Sequence, residues 1–141
     1  MLRIELRQMF RPNGMIDDVV VYGAPEDYEQ FSEQVRAATS SPDAVVLNSD
    51  SLICIEISKN NESEDLFTSL QNGRNEYFSM ADWKARSILR VVGSEAVLNE
   101  LSEFLSDLAG RVEGYSYISE FSVFSEYSDS SPEWRLHVEN T

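Results

Sequence analysis

Basic residues are scarce in this chain: 11 Lys and Arg face 25 Asp and Glu across 141 residues, a formal net charge of -14. Phosphate backbones are bound through Lys and Arg, so this balance argues against a nucleic-acid ligand. Cysteine is reduced to Cys54 alone, which rules out a disulfide framework within the chain; in the alternating run "SLICIEI" it is expected to pack as a small hydrophobe. With His137 as the only histidine, a metal centre of the usual kind falls short on ligands, and no metal or cofactor is expected. Glycine is also sparse. "YGAPED" and "VVGSEA" supply one glycine each, so no phosphate-cradling loop is present. No long apolar run occurs, and the opening "MLRIELRQMF" alternates charged and apolar residues rather than forming a signal peptide or a membrane span; a cytoplasmic location with no membrane partner is the expectation.

What is present is enough to fold. Hydrophobic residues make up 42% of the chain, too many for a disordered polymer despite the charge. A chain of this length buries roughly 70% of the surface its unfolded form exposes, so one domain spanning residues 1–141 is expected without staples. Leu2, Ile4 and Leu6 alternate with charged residues as in a half-buried strand, and "RPNG" turns the chain. Val19 to Tyr22 is apolar on both parities and suits a central strand preceded by Asp17 and Asp18 in the turn. Pro25, Glu26 and Asp27 then open a helix with Tyr28, Phe31, Val35 and Ala38 at helical spacing. Two strands, Ala44 to Leu47 and Leu52 to Ile57, follow as a hairpin with Ile53, Ile55 and Ile57 inward. From Lys59 to Asp82 the pattern weakens into a long, partly helical excursion. "SILRVV" restores a buried strand, and Ser94 caps a second helix whose stripe is Val97, Leu98, Leu101, Phe104, Leu105 and Leu108.

At an offset of 70 residues, Val21, Gly23, Tyr28, Phe31, Val35 and Ala38 fall on Val91, Gly93, Leu98, Leu101, Leu105 and Leu108. The following strands align as well, Val45 and Leu47 with Tyr115 and Tyr117. A duplicated unit and a chance agreement of two strand-turn-helix segments both explain this. The element order predicts the α+β class: a single antiparallel or mixed sheet with two amphipathic helices on one face, and a possible β-α-β-β duplication.

The last third carries the strongest charge asymmetry, with ten acids after Gly93 against Arg111 and Arg135. Tyr115, Tyr117, Phe121 and Val123 alternate with Ser116, Glu120 and Ser122, which predicts a strand with serines and acids outward. "SEYSDSSPE" then reads as a loop, and "WRLHVE" as a final strand with Trp134, Leu136 and Val138 inward. Glu120, Glu126, Tyr127, Asp129 and Glu133, supported by Glu64, Asp65 and Glu76, are therefore the candidate contacts for a basic protein partner, with Tyr127 as aromatic anchor.

Signs of catalysis are weak, and no catalytic residue is assigned. His137 falls on the outward parity with Arg135 and Glu139, as a surface histidine would; "HVE" lacks the second cysteine pair of a zinc deaminase. The strand-turn-helix "VVVYGAPEDYEQF", the single Cys and His, and the acidic aromatic C-terminal half together resemble bacterial polymorphic-toxin immunity proteins, including those of contact-dependent inhibition systems. That resemblance implies a protein that neutralises one cognate toxin by direct contact, and it assigns no residues. The expected function is a non-enzymatic acidic binding protein for a basic, nuclease-type toxin. The alternatives are a regulatory subunit that dimerises through the edge of the first or last strand, and a small carboxylate-using enzyme.

Overall fold

The computed structural model describes residues 1–11, 14–50, 53–60, 66–70, 88–111, 114–117 and 133–139. Eight strands and two helices are placed in that portion. The strands are β1 (Arg3–Arg11), β2 (Gly14–Gly23), β3 (Val45–Asn48), β4 (Cys54–Lys59), β5 (Phe67–Leu70), β6 (Ile88–Gly93), β7 (Gly114–Tyr117) and β8 (Glu133–Val138). The helices are α1 (Pro25–Ala38) and α2 (Glu95–Ala109).

The class is α+β, as the element order predicts. The strands nevertheless divide into two mixed sheets of four rather than a single sheet, in the orders β1-β2-β8-β7 and β3-β4-β6-β5. Among the described residues each half of the chain therefore has the order β-β-α-β-β, and each sheet takes one hairpin-like pair from each half. Strand β5 is the element that the weak pattern after Lys59 conceals: it pairs antiparallel with β6, Phe67 opposite Val92. The rest of the expected helical excursion lies outside the described residues.

The two sheets correspond under the 70-residue offset. Gly23 at the end of β2 lies beside Val138 of β8 in a parallel pair, and Gly93 at the end of β6 lies beside Lys59 of β4 in the other. The next residue in each case closes the ladder in the same way: the Glu139 amide donates to the Gly23 carbonyl at 2.8 Å, and the Asn60 amide donates to the Gly93 carbonyl at 2.8 Å. The helices pack mainly on each other. Where they cross, the Ser32 hydroxyl donates to the Ser102 carbonyl at 2.7 Å and the Ser102 hydroxyl donates to the Ser32 carbonyl at 3.0 Å. These two serines are 70 residues apart and exchange the same bond, which is what a twofold relation between two copies of one unit requires. The 70-residue correspondence in the sequence is thus matched by a correspondence in pairing and packing.

Each helix starts for a legible reason. The Asp27 carboxylate accepts the Ala24 amide at 2.9 Å, satisfying a donor at the N-terminus of α1 that the alanine side chain cannot. At α2 the cap is Ser94, whose hydroxyl accepts the Val97 amide at 3.3 Å. Their apolar stripes, Tyr28, Phe31 and Val35 on α1 with Leu98, Leu101, Leu105 and Leu108 on α2, are buried in one cluster with both sheets. At about 1.5–3 kcal/mol per fully buried large side chain, this shared cluster is what holds the sheets to the helix pair. Trp134, Leu136 and Val138 of β8 and Ile53, Ile55 and Ile57 around β4 join it, as their parity predicts. Tyr28 adds a polar tie: its buried hydroxyl lies 2.7 Å from the Val21 carbonyl and 3.1 Å from the His137 carbonyl, linking α1 to both central strands of the first sheet.

Three local expectations need correction. Ser116 is buried and Tyr115 is 53% exposed, the reverse of the predicted parity. The cause is a one-residue slip: α2 has 15 residues against 14 in α1, so the offset becomes 71 by the start of β7, and Ser116 takes the inward place opposite Leu136. Arg111 satisfies the buried serine by donating to its hydroxyl at 2.7 Å. Second, the last strand is no free edge, because β8 sits between β2 and β7; β1 remains terminal in its sheet. Third, Asp17 and Asp18 lie within β2 rather than in a turn before it, opposite Gln8 and Arg7 of β1. Cys54 is half-buried on the opposite parity from the core isoleucines, so it borders the core rather than filling it.

Candidate functional site: the acidic helix pair and its surroundings

Because the crossing at Ser32 and Ser102 turns one stripe of each helix inward, the opposite stripes meet solvent. On α1 these exposed positions include Glu26, Glu29, Glu33 and Arg36; on α2 they include Glu95, Glu103 and Asp107, with Glu100 half-exposed. Seven carboxylates thus face one guanidinium, and α2 has no basic residue at all. Glu26 and Glu95 lie in the first turns and favour their helices, but four of the others work against them. Glu29 and Glu33, and likewise Glu103 and Asp107, are like charges four residues apart, a spacing that costs roughly 0.2 to 0.5 kcal/mol per pair in isolated helices. Asp107 also sits in the last turn of α2, beside the negative end of the helix dipole, where a cation would be favourable. Lys59 reaches Glu95 only at 4.0 Å, and Asp27 is taken up by the Met1 ammonium at 2.6 Å.

The outer face of the first sheet has a different character. Residues in register across β1, β2, β8 and β7 form the row Arg3, Tyr22, His137, Tyr115. The Arg3 guanidinium lies 4.3 Å from the Tyr22 ring centre, Tyr22 stacks on His137 at 5.4 Å, and Tyr115 meets the histidine edge-on at 5.7 Å. The Arg135 guanidinium lies over the Tyr115 ring at 5.2 Å. His137 is therefore half-buried between two tyrosines, not a free surface histidine as its parity suggests. Its Nδ1 is buried without a hydrogen-bond partner, and the nearby Glu139 carboxylate goes to Arg3 at 3.5 Å. A general base of the usual triad kind is oriented by a third group, and among the described residues none is hydrogen-bonded to Nδ1 of His137. The row is a packed aromatic and cationic ladder.

A third feature is a cavity of about 280 Å³ between the start of the chain, α1 and β3. Leu2, Val46 and Leu47 supply its aliphatic atoms, and Gln30, Gln34 and Asn48 supply carboxamides.

Of the sequence-predicted contact residues, Glu133 alone is placed. It begins β8 and lies beside Asp18, in the middle of β2, in parallel register. Glu64, Asp65, Glu76, Glu120, Glu126, Tyr127 and Asp129 lie outside the described residues. The helix acids were readable as a polar stripe at three- and four-residue spacing, whereas the cavity has no linear signal because its wall comes from three separate elements. Among the described residues no cluster of three or more His, Cys, Asp or Glu could hold a metal ion, and no helix is long and apolar enough to cross a membrane. Comparison with protein families, with curated proteins and with solved structures finds no match for this chain.

Proposed function

We propose that this protein is a non-enzymatic binding protein whose carboxylates recognise a basic protein partner, in the manner of an immunity protein that neutralises a nuclease-type toxin. The observation that carries this reading is the paired helix surface, where Glu29, Glu33, Glu103 and Asp107 occupy positions that weaken the helices themselves. Charges kept against local stability are expected where a surface serves recognition rather than folding. A nuclease keeps a positive cleft for phosphates, and an inhibitor that presents carboxylates competes for the same charges while gaining steered association. The acids after Phe124, with Tyr127 as anchor, extend the same chemistry.

The test is co-purification with a basic protein encoded by the adjacent gene, followed by association kinetics at two ionic strengths. Replacing Glu29, Glu33 and Glu103 with Gln and Asp107 with Asn should slow association roughly tenfold at low salt and flatten its salt dependence, with thermal stability unchanged or slightly raised. Wild-type association rates in that variant at low salt would reduce the helix charge to a solvated surface.

A further inference from the structure

Because the two sheets correspond, each serves as a control for the other. Their central parallel pairs share a register: Tyr22 beside His137 and Val20 beside Arg135 in the first sheet, Val92 beside Ser58 and Arg90 beside Glu56 in the second. The fold itself does not require the aromatic row, since Val92 and Ser58 fill the matching places, and β3, which starts at Val45 opposite Ile57, adds no counterpart of Tyr115. The neighbouring row differs in charge. In the second sheet Arg90 pairs across the strands with Glu56 at 3.3 Å. In the first, the residue beside Arg135 is Val20, aliphatic and buried. Among the described residues no carboxylate pairs with Arg135, although the chain holds 25 acids. Its guanidinium is held over the ring of Tyr115, a residue 53% exposed, and its Nε is buried without a hydrogen-bond partner. One sheet thus neutralises the arginine of this row from within, and the other leaves it as an uncommitted donor fork oriented by an exposed tyrosine. Such a fork is matched to a carboxylate, and Arg and Tyr are the residue types enriched among the anchors of protein interfaces.

We propose that the outer face of the first sheet is a second interaction surface, on which Arg135 takes a carboxylate from an acidic segment of a protein partner while an aromatic residue of that segment packs on Tyr115. The incoming carboxylate does for Arg135 what Glu56 does for Arg90. The charge on this face matches a single carboxylate rather than a phosphate chain: Arg3 is already taken by Glu139 at 3.5 Å, and Glu5 and Glu139 stand on the same face as competing anions. Tyr22, Arg135 and His137 have the opposite parity to Val21, Trp134, Leu136 and Val138, which join the core beneath the helices. The surface therefore lies across the sheet from the helix carboxylates and does not depend on their role.

The test titrates the full chain with the peptide acetyl-Gly-Glu-Tyr-Gly-amide and follows the Arg135 Nε–H and the Tyr115 and His137 ring resonances by NMR. Saturable shifts at all three residues are expected. Affinity should fall roughly tenfold when glutamine replaces the peptide's glutamate, because the charged half of the hydrogen-bonded pair is then gone. Arg135→Gln should erase the difference between the two peptides while a thermal melt shows the chain folded. Val20→Glu, which supplies from within the carboxylate that the second sheet provides, should block the glutamate peptide. Absence of shifts, equal binding of the glutamine peptide, an unchanged preference in Arg135→Gln, or tighter binding of adenosine monophosphate than of the glutamate peptide would overturn the site. None of these results touches the helix carboxylates, whose role is read separately from association rates with the whole partner.

Discussion

The helix crossing is the place where the twofold relation between the halves can be tested by substitution. Ser32 and Ser102 are both buried, and their hydroxyls lie 2.9 Å apart as well as bonding each other's carbonyl. Removing one hydroxyl takes away one buried hydrogen bond, worth about 0.5–1.5 kcal/mol, while the carbonyl it served keeps its place in the helix ladder. Ser32→Ala and Ser102→Ala should therefore each destabilise by about 1 kcal/mol, and by the same amount within a few tenths. The double variant should cost less than the sum, because it removes both polar groups from one contact and leaves no hydroxyl facing an alanine. Enlargement is a sharper probe. Ser32→Leu or Ser102→Leu puts three extra carbons where the helices meet, and overpacking of this kind costs about 1–3 kcal/mol or more. Urea unfolding read by circular dichroism, with unchanged slope as the check on two-state behaviour, gives all five values. Leucine tolerated within about 0.5 kcal/mol at either position, or alanine costs that differ by more than about 1 kcal/mol between the two sites, would refute a close, symmetric crossing.

The two glycines that end β2 and β6 occupy matching positions but differ in what surrounds them. A methyl at Gly23 would meet Leu2 Cδ2 at 2.7 Å and Asp27 Cβ at 3.1 Å, whereas at Gly93 the nearest atom is Val97 Cγ1 at 3.3 Å. Gly23→Ala should thus cost clearly more than Gly93→Ala in the same unfolding assay, and an equal cost would mean that the start of the chain is not packed there. Tyr28 gives a pH test: burial, chiefly, pushes its phenol well above its ordinary value near 10. The unfolded chain then loses this proton at a lower pH than the native one, so stability is fully present below pH 10 and falls as pH rises beyond it. The expected slope is about 1.4 kcal/mol per pH unit. Tyr28→Phe should abolish that part of the alkaline decline, and an unchanged decline would place its origin elsewhere.

Much of the local structure is written in the sequence because it depends on spacing alone. The stripe from Leu98 to Leu108 and the cap at Ser94 need only helical periodicity and one hydroxyl, and Val19 to Val21 declare a central strand by being apolar on both parities. Acidity likewise follows from counting, and so does the polar stripe that carries Glu29, Glu33, Glu103 and Asp107. Tertiary structure decided how the strands are shared. Nothing local tells β8 to lie beside β2 rather than β6, since both end in an apolar run and a glycine; the choice goes with the twofold packing of α1 on α2, which carries the last strands of each half across to the other. The single extra residue in α2 shows how much depends on it: it inverts the faces of Tyr115 and Ser116, because a strand's side chains alternate with a period of two and a shift of one exchanges core for solvent.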